Sequence, residues 1–307
     1  MSDTPAPPLP PAIQQTTLDP SRVLHSTNAG VIVERVGQLR NGLRSEGRAF
    51  ARELAEYINT SQAGVATVFV YEETFGTKDR IHWLIHMRSL EDYETLVRMG
   101  TADEGFRELF VRNQIPPEKG GGTWDRMFLD GSLSETVLIP QQWRMYGTVA
   151  AGEAPGTPAR AQGWAAAAAQ GQTTLPPERT LNSATAAIVI HRTAQLRYEW
   201  RSEGRQFARE VVESINSRQE GVATAFLYEE AFGPADRIHW LIHMRSLSAY
   251  YALIEMHVRD EAVRELYFRE RIPPEKGGGG WSRMFVEGSM ADTALTPQHW
   301  GMYATRR

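Results

Sequence analysis

The sequence has no cysteine at all, which excludes disulfides, thiolate nucleophiles and Cys-ligated zinc or iron–sulfur centres. Lysine is almost missing too, occurring only at Lys78, Lys119 and Lys276, so arginine carries nearly all the positive charge. Acidic residues outnumber basic ones, 37 to 33, for a net charge of −4. Such a chain offers no basic field to nucleic acid or to an anionic membrane surface. No apolar run approaches the roughly 18 residues of a membrane span. The opening "MSDTPAPPLPPAIQQ" lacks the basic and apolar regions of a secretion signal. Its prolines point instead to a loose tail over residues 1–14. A cytoplasmic location is the expectation.

What the sequence does contain is itself, twice. "DRIHWLIHMRSL" occupies residues 79–90 and recurs letter for letter at 236–247. An offset of 157 positions aligns the two halves without a gap. "RSEGRAFARE" then meets "RSEGRQFARE", and "IPPEKGGGTWDRMF" meets "IPPEKGGGGWSRMF". A period this long marks a duplicated domain rather than a solenoid, whose repeats run to about 20–50 residues. The implied organisation is a first repeat at 15–148, an Ala/Gly/Pro-rich linker at 149–171 and a second repeat at 172–307.

Each repeat reads as β-α-β-β-α-β. "AGVIVERV" is a β-branched strand. Leu39, Leu43, Phe50, Leu54 and Ile58 then follow helical spacing. "VATVFVYEE" and "RIHWLIHMR" read as strands joined by a hairpin loop. A broken helical region ends at Pro116 and Pro117. "EKGGG" reads as a mobile loop, and "TWDRMFLDG" (123–131) as the fourth strand. The "YEE" at 71–73 reads as a strand end in solvent. The expected fold is α+β, two tandem ferredoxin-like domains.

This order, repeated over nearly the whole chain with histidine-bearing strands, resembles the dimeric α+β-barrel superfamily as an intrachain fused pair. That superfamily includes antibiotic-biosynthesis monooxygenases, polyketide cyclases, chlorite dismutases and dye-decolorising peroxidases. The phrases "FVYEETFGTKDRIHWLIHMRSL" and "PPEKGGG" also resemble a bacterial family of unknown function. The resemblance implies that the two sheets close face to face. It carries no mechanism, because no catalytic motif of a characterised branch is matched.

Strand side chains alternate between faces. Ile81, Trp83, Ile85 and Met87 form an apolar face suited to helices, which leaves His82 and His86 on the other. With His239 and His243 they would face a cavity between the repeats. Glu34 and its counterpart His191 fall on the same side, as do Phe69, Tyr71, Phe226 and Tyr228. Trp124, Arg126 and Phe128, with Trp281, Arg283 and Phe285, are assigned inward from the fourth strand. An aromatic lining with convergent polar groups suits a small apolar molecule bearing a carbonyl or phenol.

Histidine acid–base chemistry at His82, His86, His239 and His243 then fits cyclisation, isomerisation or cofactor-free oxygenation. Tyr71, Tyr228, Arg126 and Arg283 would stabilise an oxyanion. A non-catalytic ligand carrier has the same lining, and satisfied core histidines have the same pattern. Histidines four apart on a strand lie about 13 Å apart, too far to share one ion, so no metal site is assigned. No cofactor is expected, with one alternative. His257 occurs in the second repeat only, where the first has Gly100, and haem-binding members of the superfamily use a histidine outside the sheet. The chain could also pair as a homodimer through its outer faces.

Overall fold

The computed structural model describes residues 9–142 and 168–299. Residues 1–8 of the expected tail, 143–148 of the expected first repeat, 149–167 of the expected linker and 300–307 of the expected second repeat lie outside the described residues. The first repeat runs β1 (Val31–Gln38), α1 (Arg44–Ser61), β2 (Ala66–Phe75), β3 (Arg80–Met87), α2 (Leu90–Ala102), α3 (Glu104–Val111) and β4 (Ser134–Pro140). The second runs β5 (Ile188–Gln195), α4 (Arg201–Arg218), β6 (Ala223–Ala231), β7 (Arg237–Met244), α5 (Ala249–Arg259), α6 (Glu261–Phe268) and β8 (Ala291–Pro297).

The eight strands form a single closed antiparallel barrel in the order β1-β3-β2-β8-β5-β7-β6-β4. This corrects the expectation of two tandem ferredoxin-like domains. The reason lies in the last strand of each repeat. β4 pairs with β1 of its own repeat and with β6 of the other, while β8 pairs with β5 and with β2. Neither repeat therefore keeps a sheet edge of its own, and closure removes the exposed edges altogether. The fourth strand was also misplaced. "TWDRMFLDG" contains a short 3-10 turn, Trp124–Met127, and the strand begins only at Ser134.

Two seams hold the repeats together, and glutamines staple both. Gln15 donates from Nε2 to the carbonyls of Val70 (2.8 Å) and Gln298 (2.9 Å) and accepts from Val70 N–H. Gln172 bridges Leu227 and Gln141 in the same way. Each side chain thus continues the hydrogen-bond ladder where the strand pairing at the seam ends. Ala12–Gln15 and Ala169–Gln172 are accordingly 3-10 turns packed into the barrel end.

The helices cover the outside of the barrel. α1 buries Phe50, Ala51, Leu54, Ala55 and Ile58 along one stripe. Gly47 interrupts it because a Cβ there would stand 2.2 Å from Leu39 Cδ2. Asn59 accepts from the N–H of Val68 (2.6 Å) and donates to its carbonyl (3.0 Å), fixing helix to strand; Asn216 does the same to Ala225. The identical "DR" opening of the third strand has a local cause. Asp79 and Asp236 sit at φ near +61° and +62°, a left-handed conformation that aspartate tolerates. Their carboxylates receive the buried Arg48 and Arg205, which also grip Glu72 and Glu229. The "YEE" motif is therefore buried rather than solvated.

Arg205, 1 % exposed, is the sharpest test of this anchoring. Arg205→Met leaves Glu229 and Asp236 without their shared counter-charge. The expected loss is about 3–5 kcal/mol of unfolding free energy, read from the urea midpoint. A shift of under about 1 kcal/mol would show that the fork contributes little.

Candidate functional site

Inside the barrel, alternation places Ile32, Phe69, Tyr71, Leu84 and Leu138 beside Val189, Phe226, Tyr228, Leu241 and Leu295, all fully buried. The expected cavity between the repeats is in fact filled at this level by packed side chains. Above and below that layer lie two polar assemblies, and all five strand histidines, His82, His86, His191, His239 and His243, belong to one or the other.

The first joins both repeats in a continuous chain. Glu73 Oε1 lies 3.2 Å from His82 Nε2, and His82 Nδ1 lies 2.8 Å from Glu34 Oε1. Glu34 also meets His191 Nδ1 (3.1 Å), His191 Nε2 meets His239 Nδ1 (2.8 Å), and His239 Nε2 meets Glu230 (3.0 Å). Arg80 and Arg237 close the two ends. Glu34 and His191 are equivalent positions in contact with each other, so the approximate twofold axis of the barrel runs between them. His82 meets a carboxylate at each ring nitrogen, so its hydrogen-bond pattern is complete when it carries both ring protons.

Burial alone would strip the proton from His82, but the two carboxylates prevail and raise its pKa to about 9. Glu34, against its own desolvation, is held well below the usual carboxylate range by His191 and His82. Desolvation pushes His239 down. Glu34 and His82 are 4 % exposed, His191 5 % and His239 3 %, which walls this acid–base chain off from bulk ligand.

The second assembly is a plug on the same axis at the other end. Ser26 and Ser183 exchange N–H to Oγ bonds of 3.0 Å. Their hydroxyls meet His243 (3.0 Å) and His86 (2.8 Å). Tyr71 and Tyr228 donate to the carbonyls of Ser183 and Ser26. Burial drives His86 and His243 down to about 3 and both tyrosines upward. A neutral, fully bonded imidazole and a protonated phenol are structural parts here, with no face open to a substrate.

The residues assigned to the fourth strand lie elsewhere. Trp124 and Phe128 pack outside the barrel under the helices, as do Trp281 and Phe285, because the 3-10 turn aims them at α1 and α4. Arg126 and Arg283 donate to glycine carbonyls at 120–121 and 277–278. They tie down "EKGGG", which was read as mobile and which Lys119 further pins to Glu46.

The open space is on that outer side. A pocket of about 540 Å³ lies between the β1–β3 face and α1–α3 of the first repeat. Phe50, Trp83, Phe106, Phe110, Trp124 and Phe128 form its aromatic wall. Its polar edge is a trio: Arg35 donates to Glu135 (Nε–Oε1, 2.7 Å), and Tyr93 OH donates to Glu135 Oε2 (3.0 Å). Burial, with Glu135, raises the Tyr93 pKa and keeps its proton in place. Sequence reasoning missed this pocket, although Arg35 is the outward neighbour of Glu34.

The matching pocket of the second repeat holds only about 270 Å³ and contains His257. Haem does not fit the residues present. The His257 ring donates Nδ1–H to the Leu253 carbonyl at 2.5 Å and packs on Tyr267 at 4.9 Å. Its pocket falls below the roughly 300–1,000 Å³ of small-molecule sites. The larger pocket has Gly100 at that position and so offers no imidazole. Among the described residues no cluster of three or more His, Asp or Glu side chains is arranged to hold a metal.

A closed antiparallel barrel jacketed by helices, with buried polar pairs on its axis, defines the class. The chain belongs to a family of unknown function, DUF6039, which matches residues 1–303. No curated protein matches it. Solved structures similar in shape include the following three. One is a presumptive monooxygenase from Fusobacterium nucleatum: 8 % identity, 88 % of this chain, 93 % of that chain, TM-score 0.49. Another is a presumptive monooxygenase from Lactobacillus acidophilus: 11 % identity, 87 % and 93 % coverage, TM-score 0.47. The third is a chlorite dismutase mutant from Candidatus Nitrospira defluvii: 12 % identity, 88 % and 93 % coverage, TM-score 0.44. No helix among the described residues is long and apolar enough to cross a membrane.

The histidines make stability depend on pH with opposite signs. His82, with its pKa raised from 6.5 to about 9, contributes fully below pH 6.5 and loses that contribution as pH rises through 9. His86 and His243, lowered to about 3, contribute above pH 6.5 and lose it as pH falls towards 3. His82→Gln should therefore flatten the decline in Tm between pH 6.5 and 9 and leave the acid limb in place. An unaltered alkaline limb in thermal melts would remove His82 from the charged chain.

Proposed function

We propose that this protein binds a small, flat, largely apolar molecule in the outer pocket of its first repeat. The observation that carries the reading is a 540 Å³ space whose wall is aromatic and whose one polar edge is Arg35–Glu135–Tyr93. Pockets of this size, apolar with a few convergent polar groups, are the usual form of a small-molecule site. Arg35 has five donor hydrogens, more than the Glu135 carboxylate accepts, so donors remain for a ligand carbonyl or phenolate. Phe50 and Trp124 are stacked at 5.6 Å, with Phe110 edge-on to both. This presents ring faces and edges to an aromatic guest.

The same geometry shifts the balance among the candidate functions. Direct acid–base catalysis by His82, His86, His239 and His243 requires substrate beside groups that are enclosed in the barrel, on the opposite face of the sheet from the pocket. A binding or carrier role requires only the pocket. Oxygenation or isomerisation at this site would instead have to run through Arg35, Tyr93 and Glu135, the polar groups that face it.

Trp83 and Trp124 line the pocket and report on it directly. Titration with 1,8-dihydroxyanthraquinone should quench tryptophan fluorescence with saturable binding. Arg35→Met should weaken that ligand at least ten-fold, about 1.4 kcal/mol, while leaving the affinity for unsubstituted anthracene nearly unchanged. Absence of saturable quenching by either compound would overturn the reading.

A further inference from the structure

The two repeats differ at one pocket position in a way that bears on stoichiometry. Gly100 lies in α2 at the mouth of the larger pocket, and a Cβ there would meet nothing within 4 Å. Glycine inside a helix costs roughly 0.5–1 kcal/mol relative to alanine, so this residue keeps space open at the expense of helix stability. Its counterpart in α5 is His257, whose ring is held by the Leu253 carbonyl and lies against Tyr267, the counterpart of Phe110. Ile254 lines the second pocket where Val97 lines the first, adding one methylene. Yet the deeper aromatic wall is retained there. Phe207 and Trp281 stack at 5.5 Å, and Tyr267 stands edge-on to both, as in the first repeat. None of Phe207, Trp240, Trp281 or Phe285 lines the residual 270 Å³ space. The wall exists, but the histidine and tyrosine stand between it and solvent.

We propose that His257 is a built-in plug that closes the second pocket, so that the fused chain takes one ligand, in its first repeat. The proposal rests on the pocket reading above and adds to it which half binds and why. The selectivity comes chiefly from side-chain volume at the position of Gly100 and His257, with Ile254 for Val97 adding a methylene beside it. The arginine–carboxylate pair of that edge is present in both halves, since Arg192 pairs with Asp292 as Arg35 does with Glu135.

Native mass spectrometry of the full chain with 1,8-dihydroxyanthraquinone tests this. Wild type should bind one molecule. His257→Gly, and His257→Ala where the glycine weakens α5, should bind two. Gly100→His should bind none, and the double exchange should restore one. Circular dichroism melts establish that each variant is folded before its stoichiometry is counted. Two ligands on wild type, or one on folded His257→Gly and His257→Ala, would overturn the plug while leaving the pocket standing. No ligand on any folded variant, wild type included, would remove the pocket reading itself.

Discussion

A residue on a twofold axis faces its own copy. In a symmetric pair of identical chains, a buried glutamate there would confront a glutamate and a histidine would confront a histidine. The first pairing sets like charges together in a low-dielectric interior, and the second leaves no carboxylate to hold the proton. This chain has Glu34 in one repeat and His191 at the equivalent place, 3.1 Å apart. Covalent duplication permits that unlike pair. From it the rest of the axial chain follows: Glu34 also holds His82, and His191 is hydrogen-bonded to His239. The assembly pairs each of its carboxylates with a histidine or an arginine from within the barrel, and it ties the two halves together across the axis.

Closure of the barrel then determines where function can reside. The inner faces of the strands are consumed by the axial polar assemblies and the aromatic layer between them, including the Ser26–Ser183 plug. The outer faces are covered by helices, and the first repeat leaves a gap between its helices and the sheet. The buried histidines and the pocket are back to back across one sheet. Adjacent residues Glu34 and Arg35 illustrate this, one serving the axis and the other the ligand edge.

Much of this arrangement was legible beforehand. Alternation in "RIHWLIHMR" correctly separated the helix-facing set from His82 and His86, because strand periodicity is strict where both faces are buried. The same reasoning failed at "TWDRMF". Its apolar residues follow a strand-like alternation over too few positions to distinguish a strand from a 3-10 turn. Trp124, Arg126 and Phe128 were therefore placed inside. That each last strand bridges to the other repeat could not be read either, since pairing partners at a seam are chosen by tertiary contacts. Glu34 against His191 was visible as a divergence, but its meaning required knowing that the two touch. Gly100 against His257 was also visible, and invited a haem ligand where the structure has a space-filling ring.

The most direct measurement is photo-crosslinking with a benzophenone probe, followed by peptide mapping. The account predicts adducts on residues 93–110 and around Trp124, the helix side of the first repeat. Adducts on the inward-facing side chains themselves, His82, His239, Phe69 or Phe226, with none on 93–110 or Trp124, would place the ligand inside the barrel and contradict it.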